Sequence, residues 1–375
     1  MTFPKALLAA AALAFSLSTP ALAAAPTVTA RAFVVEDGTT GEVLAQRAAR
    51  ERVPIASITK LMTVLVALGR LRPAQVVTVP AEVTGIGEST IYLRAGERIP
   101  VFELVEGALI PSANDAADTL AYAAGNGSER RFVRLMNARA RRLGLTDTHF
   151  VRPDGLDAPG HLSSARDVTK LARIVMRRPL VRRVVRETSA TISGGRLIAT
   201  RNNLLSSFRG TFGVKTGHTG LAGWSEVAAA RRNGVTIYAT ILGSPSEAQR
   251  DADLARLLEW GFSRYARATL VPTRHAYARL PTGYGREAVA VVATDRLVRR
   301  VRIGRSLVER IVLPDAVPLP VTRGARVGEV RIYSGSRLLG RRPLVVARSA
   351  SRPGVAGRVG WYIGRTFHNF FGLFT

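Results

Sequence analysis

Pro54-Ile55-Ala56-Ser57-Ile58-Thr59-Lys60-Leu61-Met62-Thr63, followed by the apolar run Val64 to Leu68 and a stop at Gly69, is the stretch from which the rest of the chain is read. Pro54 suits a first helical position, and apolar residues at 58, 61, 62, 65 and 68 recur at helical spacing. The pattern predicts a buried helix that begins just before Ser57. Ser57 and Lys60 then share one face near the positive end of that helix, where backbone N–H groups favour developing negative charge. A serine hydroxyl needs a neighbouring base before it attacks anything. Lysine serves as that base only if desolvation or nearby positive charge brings its pKa toward neutrality. The competing reading is an N-cap serine followed by a lysine that snorkels out of a core helix.

Lysine usage sharpens the choice. Of 54 basic residues only four are lysine, at positions 5, 60, 170 and 215. Arginine does not give up its proton in a protein, so a position that needs a deprotonatable amine cannot accept it. Lys60 is one of the few that stayed.

Lys5, the apolar stretch Ala6 to Leu17 and the small residues Ala21-Leu22-Ala23 read as an export leader over residues 1–23, removed from the mature chain. No other stretch reaches the roughly 18 apolar residues needed to span a bilayer. The absence of cysteine excludes a disulfide framework, a thiol nucleophile and thiolate metal sites. A net charge of +27 suggests anionic neighbours. Export argues against nucleic acid and for lipid headgroups or wall polymers, while the arginines are scattered enough to be ordinary solvated surface.

Taken in order, the mature chain predicts a hairpin of Arg31 to Val35 with Glu42 to Gln46, the Ser57 helix, and short strands at 76–80 and 89–99. Helices follow at Val101 to Leu109, 116–124, Ser128 to Leu143 and from Ser164 to before Pro179, with Asp154 to His161 as loop. Thr211 to Thr219, Trp224 to Ala230 and Val235 to Leu242 read as strands, the last two joined by the hairpin turn Asn233-Gly234. A helix from Ser246 to Tyr265 closes the domain. The expected division is 24–267 for an α+β catalytic domain, 268–347 for a small all-β domain, and 348–375 for a linker and an amphipathic helix.

Two further motifs follow along the chain. Ser112 and Asn114 form the one Ser-x-Asn, and Lys215-Thr216-Gly217 the one Lys-Thr-Gly, on a strand whose glycines let a ligand backbone approach. Each is weak alone. With Ser57 and Lys60 they stand in the order shared by serine penicillin-binding enzymes and serine β-lactamases. The five histidines, at 149, 161, 218, 275 and 368, come with neither a G-x-S-x-G elbow nor an H-E-x-x-H helix.

Ala56 to Thr63, Gly155 to Gly160, Ser163 to Asp167, Lys215 to Thr219, Leu258 to Phe262 and Arg342 to Val346 together resemble the low-molecular-mass penicillin-binding proteins that are D-alanyl-D-alanine carboxypeptidases. The resemblance covers nearly the whole mature chain and departs at Ala113, where the family usually has glycine. It implies an antiparallel sheet flanked by helices with a helical lobe, then a β domain and a membrane-associated tail. It also implies roles: Ser57 as acylated nucleophile, Lys60 as general base, Ser112 as proton relay and Asn114 as peptide-binding residue. Lys215 and Thr216, helped by Arg250, would receive the terminal carboxylate, Gly217 would be a further substrate-binding residue, and the N–H groups of Ser57 and His218 would form the oxyanion hole.

Such an enzyme needs no metal and no organic cofactor. Its partners would be peptidoglycan stem peptides, β-lactams as covalent inhibitors, and the periplasmic face of the cytoplasmic membrane, reached through the C-terminal helix. A β-lactamase and a non-catalytic module that binds wall peptides are the alternatives. The oligomeric state is open at this level.

Overall fold

A computed structural model describes residues 24–284 and 286–371, with side chains in the last helix described as far as Ile363. The expected leader lies outside the described residues. The chain divides into one compact unit ending at Arg264 and a second beginning at Tyr265.

The first unit opens with strands β1 (Ala32–Asp37) and β2 (Val43–Arg47), and continues through a 3-10 turn (Ala56–Thr59) directly into helix α1 (Lys60–Ala67). A small ribbon of β3 (Val76–Thr78) and β4 (Arg98–Pro100) leads to α2 (Val101–Leu109), α3 (Asn114–Ala124) and α4 (Glu129–Arg142). Then come α5 (Ala165–Val175), α6 (Pro179–Val184), the hairpin β5 (Ser189–Ile192) with β6 (Arg196–Ala199), and the single turn α7 (Leu204–Ser207). The meander β7 (Thr211–Thr219), β8 (Gly223–Arg232) and β9 (Val235–Ser244) precedes α8 (Glu247–Ser263).

These strands make a five-stranded antiparallel sheet in the order β2-β1-β9-β8-β7, so the first hairpin joins the last meander and everything between them is an insertion. Every residue of β1 is buried, because β2 and β9 flank it and α5 and α8 pack on it. Asn233 and Gly234 both take positive φ, 50° and 82°, as a two-residue hairpin turn requires. Ser164 caps α5 and Ser246 caps α8, each accepting from the N–H three residues on, at 3.2 Å.

The α+β class and the helical lobe agree with the sequence reading, and several local expectations change. Pro54 stands ahead of the 3-10 turn rather than at a first helical position. Residues 89–97 form a loop. Ile91 and Leu93 N–H donate to the Asp115 carboxylate in the first turn of α3, at 3.2 and 3.0 Å, rather than to a neighbouring strand. Helix α3 starts at Asn114, not 116, and α6, α7 and the β5–β6 hairpin were not anticipated.

The second unit is antiparallel β throughout its sheets. β10 (Tyr265–Val271) pairs with β13 (Leu297–Arg302). A five-stranded sheet runs in the order β11 (Ala276–Leu280), β12 (Val289–Ala293), β16 (Arg337–Val346), β15 (Arg326–Ser334), β14 (Val308–Val312). Its core includes Val271, Val289, Val291, Leu297, Val330 and Leu344. Helix α9 (Val355–Phe371) lies within the 348–375 segment from which a linker and an amphipathic helix were expected. Val359 and Ile363 are exposed on it, whereas the Trp361 and Tyr362 rings meet Tyr284 edge-on at 5.4 and 6.2 Å. Among the described residues no helix is long and apolar enough to cross a membrane.

Candidate active site

The nucleophile turn is set by close backbone packing. Ala56 has φ 48°, a left-handed conformation that brings Ser57 out at the start of the 3-10 turn. Two glycines make room for it. A Cβ on Gly217 of β7 would lie 2.8 Å from the Ile55 carbonyl oxygen, and one on Gly155 would lie 2.1 Å from that of Ala56. The third residue of Lys-Thr-Gly is therefore a packing requirement between β7 and the serine turn.

Lys60 is fully buried, and its Nζ lies 2.7 Å from each of Ser57 Oγ, Asn114 Oδ1 and the Asp154 carbonyl oxygen. Burial pushes its pKa down to about 8, against the opposing pull of the Asp154 and Asp118 charges. A neutral amine keeps two N–H donors and gains a lone pair. Two acceptors, Asn114 Oδ1 and Asp154 O, can hold those donors while the lone pair faces the Ser57 hydroxyl.

Ser112, at φ 70°, sits opposite. Lys215 Nζ donates to its Oγ at 2.8 Å and to the Thr216 carbonyl at 2.9 Å. Burial, the Lys60 charge and Arg201 push the Lys215 pKa well down. Asn114 is oriented by both neighbours: its Oδ1 accepts from Lys60, and its Nδ2 donates to the Gly87 carbonyl at 3.1 Å.

A cleft of about 640 Å³ joins these groups, lined by Ser57, Ser112, Asn114, Thr216, Gly217, His218 and Arg250. His218 is exposed on β7 and stacks on Trp224 at 4.0 Å between ring centroids. Arg250 is 1% exposed, with Nη2 on Asp251 at 2.7 Å and Nε 3.1 Å from Glu226 Oε2. Glu226, opposite Thr216 in the β7–β8 ladder, is pushed up to about 8 by burial despite that arginine. The structure thus brings together every residue that the sequence singled out.

The same cleft contains residues that sequence reasoning missed: Glu88, Ser89, Arg201, Trp224 and Glu247. None stands in a motif. Asp154 escaped notice for a different reason, since it contributes a backbone oxygen that no side-chain pattern announces. Asp118, one helical turn after Asn114, is pushed up to about 8 by burial and by Asp154. His161 is structural. Its Nδ1 accepts from Val151 N–H at 3.1 Å, so Nε2 carries the proton toward Thr59 Oγ1 at 2.8 Å, and burial pushes its pKa down to about 4. Among the described residues no cluster of His, Cys, Asp and Glu could hold a metal.

The profile of the D-alanyl-D-alanine carboxypeptidase family matches residues 19–246. D-alanyl-D-alanine carboxypeptidase DacA of Escherichia coli (strain K12) is 30% identical over 364 residues, covering 92% of this chain and 90% of its own length. The D-alanyl-D-alanine carboxypeptidase of Streptomyces sp. (strain K15) is 35% identical over 267 residues, covering 66% of this chain and 92% of its own. Among solved structures, penicillin binding protein 5 from Haemophilus influenzae superposes with a TM-score of 0.64 at 26% identity, over 88% of this chain and all of its own. Sequence, fold and motif order agree, and the chain belongs to the D-alanyl-D-alanine carboxypeptidase family of low-molecular-mass penicillin-binding proteins.

Proposed function

We propose that this serine carboxypeptidase removes the terminal D-alanine from peptidoglycan stem pentapeptides through an acyl-enzyme on Ser57. The observation that carries the reading is the 2.7 Å approach of a fully buried Lys60 Nζ to Ser57 Oγ. In that position a neutral amine takes the hydroxyl proton as Oγ attacks the carbonyl of the penultimate residue.

Placement supports the remaining roles. Backbone N–H groups of Ser57 and His218 serve as the oxyanion hole, a device worth about 3–4 kcal/mol of barrier per donor. Ser112, hydrogen-bonded to Lys215, relays the proton that Lys60 took from Ser57 to the D-alanine amine as the C–N bond breaks, which leaves Lys60 neutral again. The D-alanine carboxylate is received by Thr216 and the positive charge of Lys215, Arg201 and Arg250 around it. Asn114 fixes Lys60 and borders the peptide. Water then attacks the ester, with Lys60 again as base. β-Lactams acylate the same hydroxyl, because their ring carbonyl occupies the place of the scissile one.

Export and surface anchoring complete the reading. Residues 1–23 act as the leader, and α9 lies on the outer face of the cytoplasmic membrane, a role supported by the exposed Val359 and Ile363. The direct test incubates the mature chain with a diacyl-Lys-D-Ala-D-Ala peptide and measures released D-alanine. No release above that of the Ser57→Ala variant would overturn the activity.

A further inference from the structure

Glu88 stands at the tip of a loop that is pinned on both sides. The Gly87 carbonyl accepts from Asn114 Nδ2 at 3.1 Å, and the Ser89 carbonyl accepts from the Asn114 N–H at 2.7 Å. Ser89 Oγ also donates to the Pro111 carbonyl at 2.8 Å. Between these anchors Glu88 takes φ 70°, a left-handed conformation that costs a non-glycine residue of the order of 1 kcal/mol. The segment is held, and the strained residue lines the cleft.

The charge around it is uneven. Arg201 and Arg250 line the cleft as cations, and Lys60 and Lys215 are buried against it. Of the two acids that line it, Glu247 is paired with Arg250 at 3.2 Å, whereas Glu88 is exposed and has no ion pair among the described residues. Its charge reaches far enough to act on Lys60. The cleft lining therefore carries positive charge for a terminal carboxylate and, on a pinned backbone segment, one carboxylate with no ion pair among the described residues.

We propose that Glu88 is a specificity residue that selects substrates with a free side-chain amine on the residue preceding D-Ala-D-Ala. This rests on the carboxypeptidase reading above and deepens it, since it names the feature of the peptide that this chain prefers. An anionic cleft wall and an ammonium group attract over several ångströms of solvent, so the preference appears in KM and weakens with salt.

The test compares Nα-acetyl-L-Lys-D-Ala-D-Ala, its ε-amine free, with the Nα,Nε-diacetyl peptide. Wild type should favour the free amine by about fivefold in kcat/KM, in the range of one exposed ion pair. Glu88→Gln should bring the ratio close to one, chiefly through KM. Glu88→Asp should restore much of it, and 0.5 M salt should compress it in wild type. An unchanged ratio in Glu88→Gln, or an equal loss on both peptides, would overturn the assignment in favour of a purely structural loop. If wild type hydrolyses neither peptide, the carboxypeptidase reading itself fails and this inference fails with it. Hydrolysis of both peptides at equal rates overturns the specificity alone.

Discussion

Gly155 packs against Ala56 so closely that a methyl group on it would come within 2.1 Å of the Ala56 carbonyl oxygen, and its φ of 90° is in any case poorly tolerated by other residues. The neighbouring Asp154 carbonyl receives a hydrogen bond from Lys60, so the glycine fixes the lysine's environment as well as the serine turn. Gly155→Ala should destabilise the fold by about 2–4 kcal/mol and slow penicillin acylation more than a hundredfold. Denaturant unfolding and acylation kinetics measure the two effects. Wild-type values for both would show that the turn relaxes freely.

Ser57 should carry the label when the protein reacts with a fluorescent penicillin. Intact-mass analysis is expected to show one adduct on wild type and none on Ser57→Ala. An undiminished adduct on the variant would assign the nucleophile elsewhere.

Both lysines of the site should resist replacement by arginine. Lys60→Arg should abolish acylation, because guanidinium does not accept a proton at neutral pH. From the sequence alone Lys215→Arg is expected to be milder, since charge is kept. The structure keeps that order and enlarges the expected loss. Lys215 is 2% exposed, and its Nζ is already held by Ser112 and the Thr216 carbonyl, so a larger planar head must displace its neighbours. A loss of at least tenfold in kcat/KM is expected, smaller than that of Lys60→Arg. The reverse order would exchange the two roles.

The pH dependence follows from Lys60. Burial holds it at about 8, below the ordinary 10.5, and only the neutral amine accepts the serine proton. Acylation should rise about tenfold per pH unit up to pH 7 and level off above about 8. The sign is fixed by chemistry: acid protonates the base. A rate that falls across the same interval would require a different base.

Removing residues 355–375 should shift the exported protein from the membrane fraction to the soluble periplasmic fraction with peptidase activity retained. The contact of Trp361 and Tyr362 with Tyr284 offers the competing outcome, in which the helix belongs to the β unit and its loss lowers stability. Fractionation and thermal unfolding of the truncated chain separate the two.

Legibility followed the chemistry of each group. Ser57 and Lys60 could be paired from spacing, because three residues in a helical segment place two side chains on one face. Ser112, Asn114 and Lys215 were readable as ordered motifs, although only the fold shows Asn114 held between Lys60 and the Gly87 carbonyl. Glu88 and Arg201 were not readable, because a single charged residue in a loop looks like solvated surface until the chain is folded. The 89–97 stretch was mistaken for a strand for a related reason. Ile91 and Leu93 are buried on either side of the exposed Tyr92, as in a strand, but their N–H groups go to the Asp115 carboxylate at a helix start, and hydrophobicity does not name that partner.

The pairing of β1 with β9 places Ala32 opposite Leu242, so the central sheet cannot close until nearly the whole first unit is available. Helices such as α3 and α4 make local contacts and can form while the polypeptide is still incomplete, but loop-closure entropy delays the long-range pairing that completes the sheet. For a chain threaded through an export channel from its N-terminus, the first hairpin waits with an open hydrogen-bonding edge until the meander emerges. Assembly of the nucleophile with its Lys-Thr-Gly strand is thereby a late event, and a chain that stalls before Ser244 presents penicillin with no finished site.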